Sequence, residues 1–189
     1  MIRGNLPNIS FQTFYVSKEI SNCPFISEIV RASKRLKELD FFETVNDMIV
    51  SLRYGKRVLI TADNTDLREI KQEDFLEIVD YDPLKKVLLA MGPKKPRVDT
   101  SIHWLIHHSR DEINAAIQLN DKMLTEKLVK KIPATKKEYP AGTLEQAKEV
   151  LKGLRNSKRI VIKNQGVLFV GNSIKDVEDL VLKTCEELK

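Results

Sequence analysis

The three histidines of the chain, His103, His107 and His108, fall within six residues of one another. Asp99 precedes His103 by four positions and His103 precedes His107 by four, so on a helix the three share one stripe. A carboxylate and two imidazoles arranged this way have the chemistry of a divalent-metal site. Trp104, Leu105 and Ile106 between them are instead the residues of a packed helix, on which His103 is a hydrogen-bonded structural group and His108 an exposed one. Two residues before Asp99, Arg97 can hold an anion or serve as plain surface charge.

Cys23 and Cys185 lie far apart, with no CxxC or Cys/His spacing, and read as reduced structural thiols. The densest basic stretch, Lys127 to Lys137, includes Lys130, Lys131, Lys136 and Lys137. It has one aromatic at its edge, Tyr139, and no nucleic-acid motif, so it reads as a solvated helix end with no nucleic-acid partner. Over the whole chain 32 basic residues are interleaved with 27 acidic ones, a net charge of +5. A hydrophobic fraction of 42% with 31% charged residues suits a folded globular chain and not a disordered one. No apolar run approaches the roughly 18–20 residues that a membrane span needs. MIRGNLPNIS lacks a charged head followed by an apolar stretch, so no signal peptide is expected and the chain reads as cytoplasmic.

At 189 residues the chain is the size of one domain. Pro24 opens an amphipathic helix to about Asp40, with Phe25, Ile29, Val30 and Leu36 on its apolar side. Met48–Arg53 and Arg57–Thr61 read as strands joined through Tyr54-Gly55-Lys56. Phe75–Asp80 and Lys86–Met91 form a second pair around Asp82-Pro83. A helix follows over 98–109, then a buried strand from Ile113 to Leu119. Thr143 with Gln146 is a capping box opening another helix. Arg159–Ile162 and Val167–Val170 are strands around Asn164-Gln165-Gly166, and Ser173 caps a last helix. The first 20 or so residues, with Ile9, Phe11 and Phe14, can add an edge strand. Helices bracketing hairpins predict a single-domain α/β sandwich, three layers around a largely antiparallel sheet.

The order of short motifs from Leu52 onward resembles the class II aldolase/adducin family. The run S51-L-R-Y-G-K-R-V-L-I-T61 resembles its S-x-R followed by an I-T-P-S-G loop. Asp66-Leu67 and EDFLEIVD, ending at Asp80, resemble its next strand. P96-R-V-D-T-S-I-H103 with R110-D-E-I-N-A-A-I-Q-L-N120 is similar in spacing to P-S-S-E-x-x-x-H followed by R-x-x-x-N-A-V-V-H-T-H. V161-I-K-N-Q-G-V-L-F-V-G171 is similar to L-L-x-N-H-G-x-x-x-x-G. The resemblance covers residues 25 to 189.

It implies an aldolase or epimerase fold in which three histidines hold zinc and a carboxylate moves a proton. Those histidines fall on Gln118, Asn120 and Gln165, and the carboxylate on Asp99. The paired serines become Arg97 and Val98, the loop glycine becomes Asn64 after Thr61, and the G-N before Ser51 becomes Met48-Ile49, with Asn46 nearby. No tyrosine lies between Asp121 and Glu138. The expected protein therefore uses the fold without the zinc, needs no cofactor, and binds an anionic small molecule through Thr61, Asn64, Arg97, Gln118, Asn120 and Gln165. The alternative is a sugar-phosphate lyase or epimerase with Asp99 catalytic and zinc or another divalent metal on Asp99, His103 and His107. The resemblance further implies a homotetramer.

Overall fold

The computed structural model describes residues 11–38, 47–66 and 69–188. Eight strands form one sheet: β1 (Gln12–Ser17), β2 (Met48–Tyr54), β3 (Arg57–Thr61), β4 (Phe75–Asp82), β5 (Val87–Met91), β6 (Ala115–Leu119), β7 (Arg159–Ile162) and β8 (Gly166–Gly171). Their spatial order is β1-β5-β4-β3-β2-β6-β8-β7. Every pairing is antiparallel except that of β1 with β5. The edge strand expected near the N-terminus is therefore present and parallel, while Ile9 lies outside the described residues. At the opposite edge Ala134 bridges Val161 and extends the sheet by one short parallel contact.

Five helices cover the two faces: α1 (Ile26–Lys37), α2 (Thr100–Ser109), α3 (Lys122–Leu128), α4 (Leu144–Gly153) and α5 (Ile174–Glu186). On one face Ile29 and Leu36 of α1, Leu124 of α3 and Val177 and Val181 of α5 pack on Val50, Leu59, Ile117 and Phe169. On the other face Ile102 and Ile106 of α2 and Val150 of α4 pack on Ala116, Ile160 and Leu168, while Trp104 joins Ile49, Ile60 and Leu76. The result is the three-layer α/β/α sandwich anticipated from the sequence. Each such fully buried aliphatic side chain contributes roughly 1.5–3 kcal/mol relative to exposure. No helix among the described residues is long and apolar enough to cross a membrane.

Several boundaries differ from the sequence expectation. Helix α1 starts at Ile26, not Pro24, and α2 starts at Thr100, not 98. Strand β6 starts at Ala115, after a turn at residues 111–112 that Ile113 N closes by donating to Arg110 O at 3.1 Å. The solvated helix end expected near Lys127 belongs to α3, whose start was not anticipated; Asp121 caps it, its side chain accepting from Leu124 N at 2.7 Å. Thr143 does cap α4, accepting from Gln146 N at 3.2 Å. The Gln146 side chain, however, accepts from Gly142 N at 2.9 Å and not from Thr143, so the capping box closes one residue earlier.

One glycine sets the approach of two strands near the centre of the molecule. A Cβ on Gly166 would stand 2.7 Å from Asn120 Oδ1 and 2.8 Å from Asn120 Cα. Backbone cannot yield as a side chain can. Gly166→Ala is expected to destabilise by about 3 kcal/mol, the upper end for forcing a methyl into packed space. Gly55→Ala, where φ is +60° and the space is open, should cost only about 1 kcal/mol of left-handed strain. Urea unfolding of the two variants tests this contrast, and equal losses would contradict it.

Candidate functional site

Strand β2 lies between β3 and β6, and its Ser51 has no exposed surface. Helix α2 crosses above it and brings two imidazoles to the one hydroxyl. Ser51 Oγ is 2.7 Å from His103 Nδ1 and 2.8 Å from His107 Nε2. His107 Nδ1 faces Ile113 O at 3.2 Å, and His103 Nε2 faces Gln118 Oε1 at 3.3 Å. Four contacts need four protons, whereas two neutral imidazoles and a hydroxyl supply three. In the neutral cluster one of the two longer contacts is therefore not a hydrogen bond. Burial disfavours the extra proton, holding His103 down to about 4 and His107 down to about 3. Exposed His108 instead stacks on Trp104, with ring centroids 3.7 Å apart.

Gln118 continues the string toward the cleft. Its Nε2 donates to Asn120 Oδ1 at 2.8 Å and to Asp99 Oδ1 at 3.4 Å. Asn120 Nδ2 donates to Asp47 Oδ2 at 3.0 Å, and Asp47 Oδ1 is paired with Arg97. Asp99 is buried at the start of α2 without capping it. Burial raises its pKa, opposed by the Gln118 hydrogen bond and the Arg97 charge. Arg97 Nε is buried and meets no acceptor among the described residues.

The β7–β8 turn supplies the third amide. Gln165 Oε1 accepts from Gln146 Nε2 at 2.8 Å. Asn120 and Gln165 then line one cavity of about 290 Å³ with Lys122, Thr125, Glu126 and Asn164. Of the three amides, Gln118 does not reach it and has no exposed surface.

The remaining residues predicted from the sequence sit outside this cavity. Thr61 Oγ1 accepts from Val50 N at 3.1 Å, which completes the end of the β2–β3 ladder. Asn64 has φ 55°, a left-handed conformation that asparagine tolerates in place of glycine. Asp63 N donates to Lys95 O at 2.9 Å, which brings the 61–64 loop beside the 95–97 segment. The Asp99, His103 and His107 stripe exists, but every imidazole nitrogen in it faces a protein partner. Among the described residues no group of three or more His, Cys, Asp or Glu side chains is arranged to hold a metal ion.

Sequence reasoning missed Asp47, Gln146 and the start of helix α3. Gln146 was visible only as a capping residue, and nothing in the local pattern linked it to Gln165, 19 positions on.

The Class II Aldolase and Adducin N-terminal domain matches this chain over residues 27–184. The chain is 27% identical over 150 residues to an L-fuculose phosphate aldolase of Methanocaldococcus jannaschii, covering 71% of this chain and 76% of that protein. Its fold superposes on an L-fuculose 1-phosphate aldolase with a TM-score of 0.70 at 17% identity, over 89% of this chain and 86% of the other. The L-fuculose-1-phosphate aldolase of Thermus thermophilus gives 0.67 at 16% identity, over 86% and 89%.

The buried cluster sets a pH dependence. An unfolded histidine takes up a proton below about 6.5, whereas the folded pair resists until about 4 and about 3. Between these values the unfolded state binds more protons, so stability falls as pH falls, by up to about 2.7 kcal/mol per pH unit for two histidines. Asp99 has the opposite sign. Its raised folded pKa favours the protonated native state, a contribution lost as pH rises, so it offsets part of the slope. Thermal melts from pH 7 to pH 4.5 should show the net fall, and a flat profile would contradict the buried neutral pair. Ser51→Ala leaves two imidazoles without their shared partner and should cost about 2–4 kcal/mol at pH 7.

Proposed function

This chain belongs to the class II aldolase and adducin N-terminal domain family, and from that premise we propose that it keeps the fold without three-histidine zinc chemistry, as a non-catalytic scaffold that binds an anionic small molecule. The observation that carries this reading is the donor set of Gln118, Asn120 and Gln165. Amide oxygens are weak neutral ligands beside imidazole. Here, moreover, Asn120 Oδ1 and Gln165 Oε1 already accept hydrogen bonds from Gln118 and Gln146. The Gln118 amide is enclosed between Asp99, Asn120 and His103. These groups do not fit zinc.

One observation favours a second reading, a sugar-phosphate lyase or epimerase with an altered metal arrangement. Asp99 is a buried carboxyl whose pKa is raised, the direction that suits such a group to hold and release a proton. The described contact of its side chain is Gln118, however, and it does not line the cavity of Asn120 and Gln165. The non-catalytic reading needs no further group. Family resemblance also supports a homotetramer for this chain.

Elemental analysis of untagged protein should find zinc far below one per chain, and L-fuculose 1-phosphate should not be cleaved. Stoichiometric zinc or turnover would overturn the proposal. Light scattering should give four times 21.7 kDa; a clean monomer would remove the tetramer. The triple variant Gln118→His, Asn120→His, Gln165→His should gain zinc affinity, raising stability by about 2.7 kcal/mol at a hundredfold excess over Kd, without restoring cleavage. Failure of that variant to bind zinc would show that the three positions do not converge.

A further inference from the structure

An amide group has a donor end and an acceptor end of nearly the same shape, and its orientation follows only from partners that cannot change role. Two such partners fix the amides of the cavity. The Gly142 backbone N–H can only donate, so Gln146 must turn Oε1 toward it, at 2.9 Å. Gln146 Nε2 then faces Gln165, which must accept with Oε1 at 2.8 Å. Neither hydrogen of Gln165 Nε2 meets an acceptor among the described residues. At the other wall the Asp47 carboxylate, held by Arg97, can only accept. Asn120 therefore gives it one Nδ2 hydrogen at 3.0 Å and accepts from Gln118 with Oδ1 at 2.8 Å. Its second Nδ2 hydrogen has no protein acceptor among the described residues.

We propose that the cavity between Asn120 and Gln165 is an oxyanion site, taking the carboxylate or phosphate group of a small ligand on amide N–H donors with Lys122 at its mouth. This rests on the reading above, and it inverts the polarity of the position, which presents donors to an anion where its relatives' pattern has histidines. Thr125 contributes no donor, since its hydroxyl donates to Asp121 O at 2.6 Å. Glu126 is 67% exposed and 3.8 Å from Lys122, so solvent screens it.

The charge of the surrounding chain agrees. Residues 122–163 hold ten lysines and two arginines against four glutamates, a net +8, while the whole chain carries +5, leaving −3 for the rest. Such a field draws anions toward this end of the sheet. A cavity of about 290 Å³ suits a small ligand.

Titration of ¹⁵N-labelled protein with inorganic phosphate and with acetate, at constant ionic strength set by chloride, tests the inference through the side-chain NH₂ signals of Asn120 and Gln165. Saturable shifts of both signals are expected. Stronger binding of phosphate or of acetate identifies which oxyanion the site prefers. Gln165→Glu keeps the acceptor for Gln146 but replaces the donors with a carboxylate oxygen, and should weaken binding at least about tenfold with the backbone spectrum otherwise retained. No shift at either amide, or unchanged binding in Gln165→Glu, would overturn the inference. Zinc-free protein that ignores both anions would overturn the inference alone, whereas stoichiometric zinc would overturn the reading beneath it.

Discussion

Gln118 is a carboxamide with no exposed surface on a strand at the middle of the sheet, and burial on those terms obliges the fold to supply its partners. An unmet amide there costs about 1–3 kcal/mol for each polar group. Three residues are its partners: Asp99 just before α2, His103 on α2, and Asn120 just after β6. Two of them are held in turn, His103 by Ser51 on β2 and Asn120 by Asp47 at the entrance to β2. One string of polar contacts thus ties β2, β6 and α2 together through an otherwise apolar interior. Both ends of the string, the Asp47 carboxylate and the Ile113 carbonyl, are acceptors, so the donor direction must reverse once within it, at the contact that lacks a proton.

A second set of polar residues holds the frame. Arg53 Nε donates to Asn114 Oδ1 at 2.8 Å, and its Nη1 donates to His107 O at 3.1 Å, where α2 ends. Asn114 Nδ2 passes the connection to Asn172 Oδ1 at 2.7 Å, after β8. Arg110 Nη1 donates to Leu154 O, beyond α4. Ser51, Arg53, Arg110 and Asn114 all belong to motifs by which the chain resembles its family. In this structure they lock α2 and the turn after it onto the sheet, a task independent of any metal.

Much of this was legible in the sequence where local periodicity controls the outcome. The hairpins of β2–β3 and β7–β8 announce themselves through Tyr54-Gly55-Lys56 and Asn164-Gln165-Gly166, whose Gly55 and Asn164 have φ of 60°. Placing Asn120 beside the 165–166 turn came only through the resemblance, whose three histidine positions fall on Gln118, Asn120 and Gln165. Only the end of helix α3 was legible, since Leu124 and Leu128 alone of its seven residues are buried and two apolar positions make no clear stripe. The role of Gln146 was hidden for another reason. A glutamine three positions after a threonine is the expected end of a capping box, and only the tertiary approach of Gly142 and Gln165 shows that its amide relays polarity between them. His107 was placed on a stripe with Asp99, yet which atom it faces depended on Ser51, 56 residues away in sequence.

A metal held at positions 118, 120 and 165 would serve structure as well as chemistry, because it would tie the end of β6 to the β7–β8 turn. In this structure the protein's own contacts make that join. Gly166 brings the turn against Leu119 and Asn120, closer than any side chain would allow, and the Gln146–Gln165 hydrogen bond fastens the turn to α4. Such a hydrogen bond contributes about 0.5–1.5 kcal/mol net, so the close packing carries most of the join and the amides chiefly orient it. The amides are also interdependent. Asn120 needs a donor from residue 118 once Asp47 claims its own, and residue 165 must accept once Gln146 is turned by Gly142. Each of the three amides therefore depends for its orientation on a neighbour.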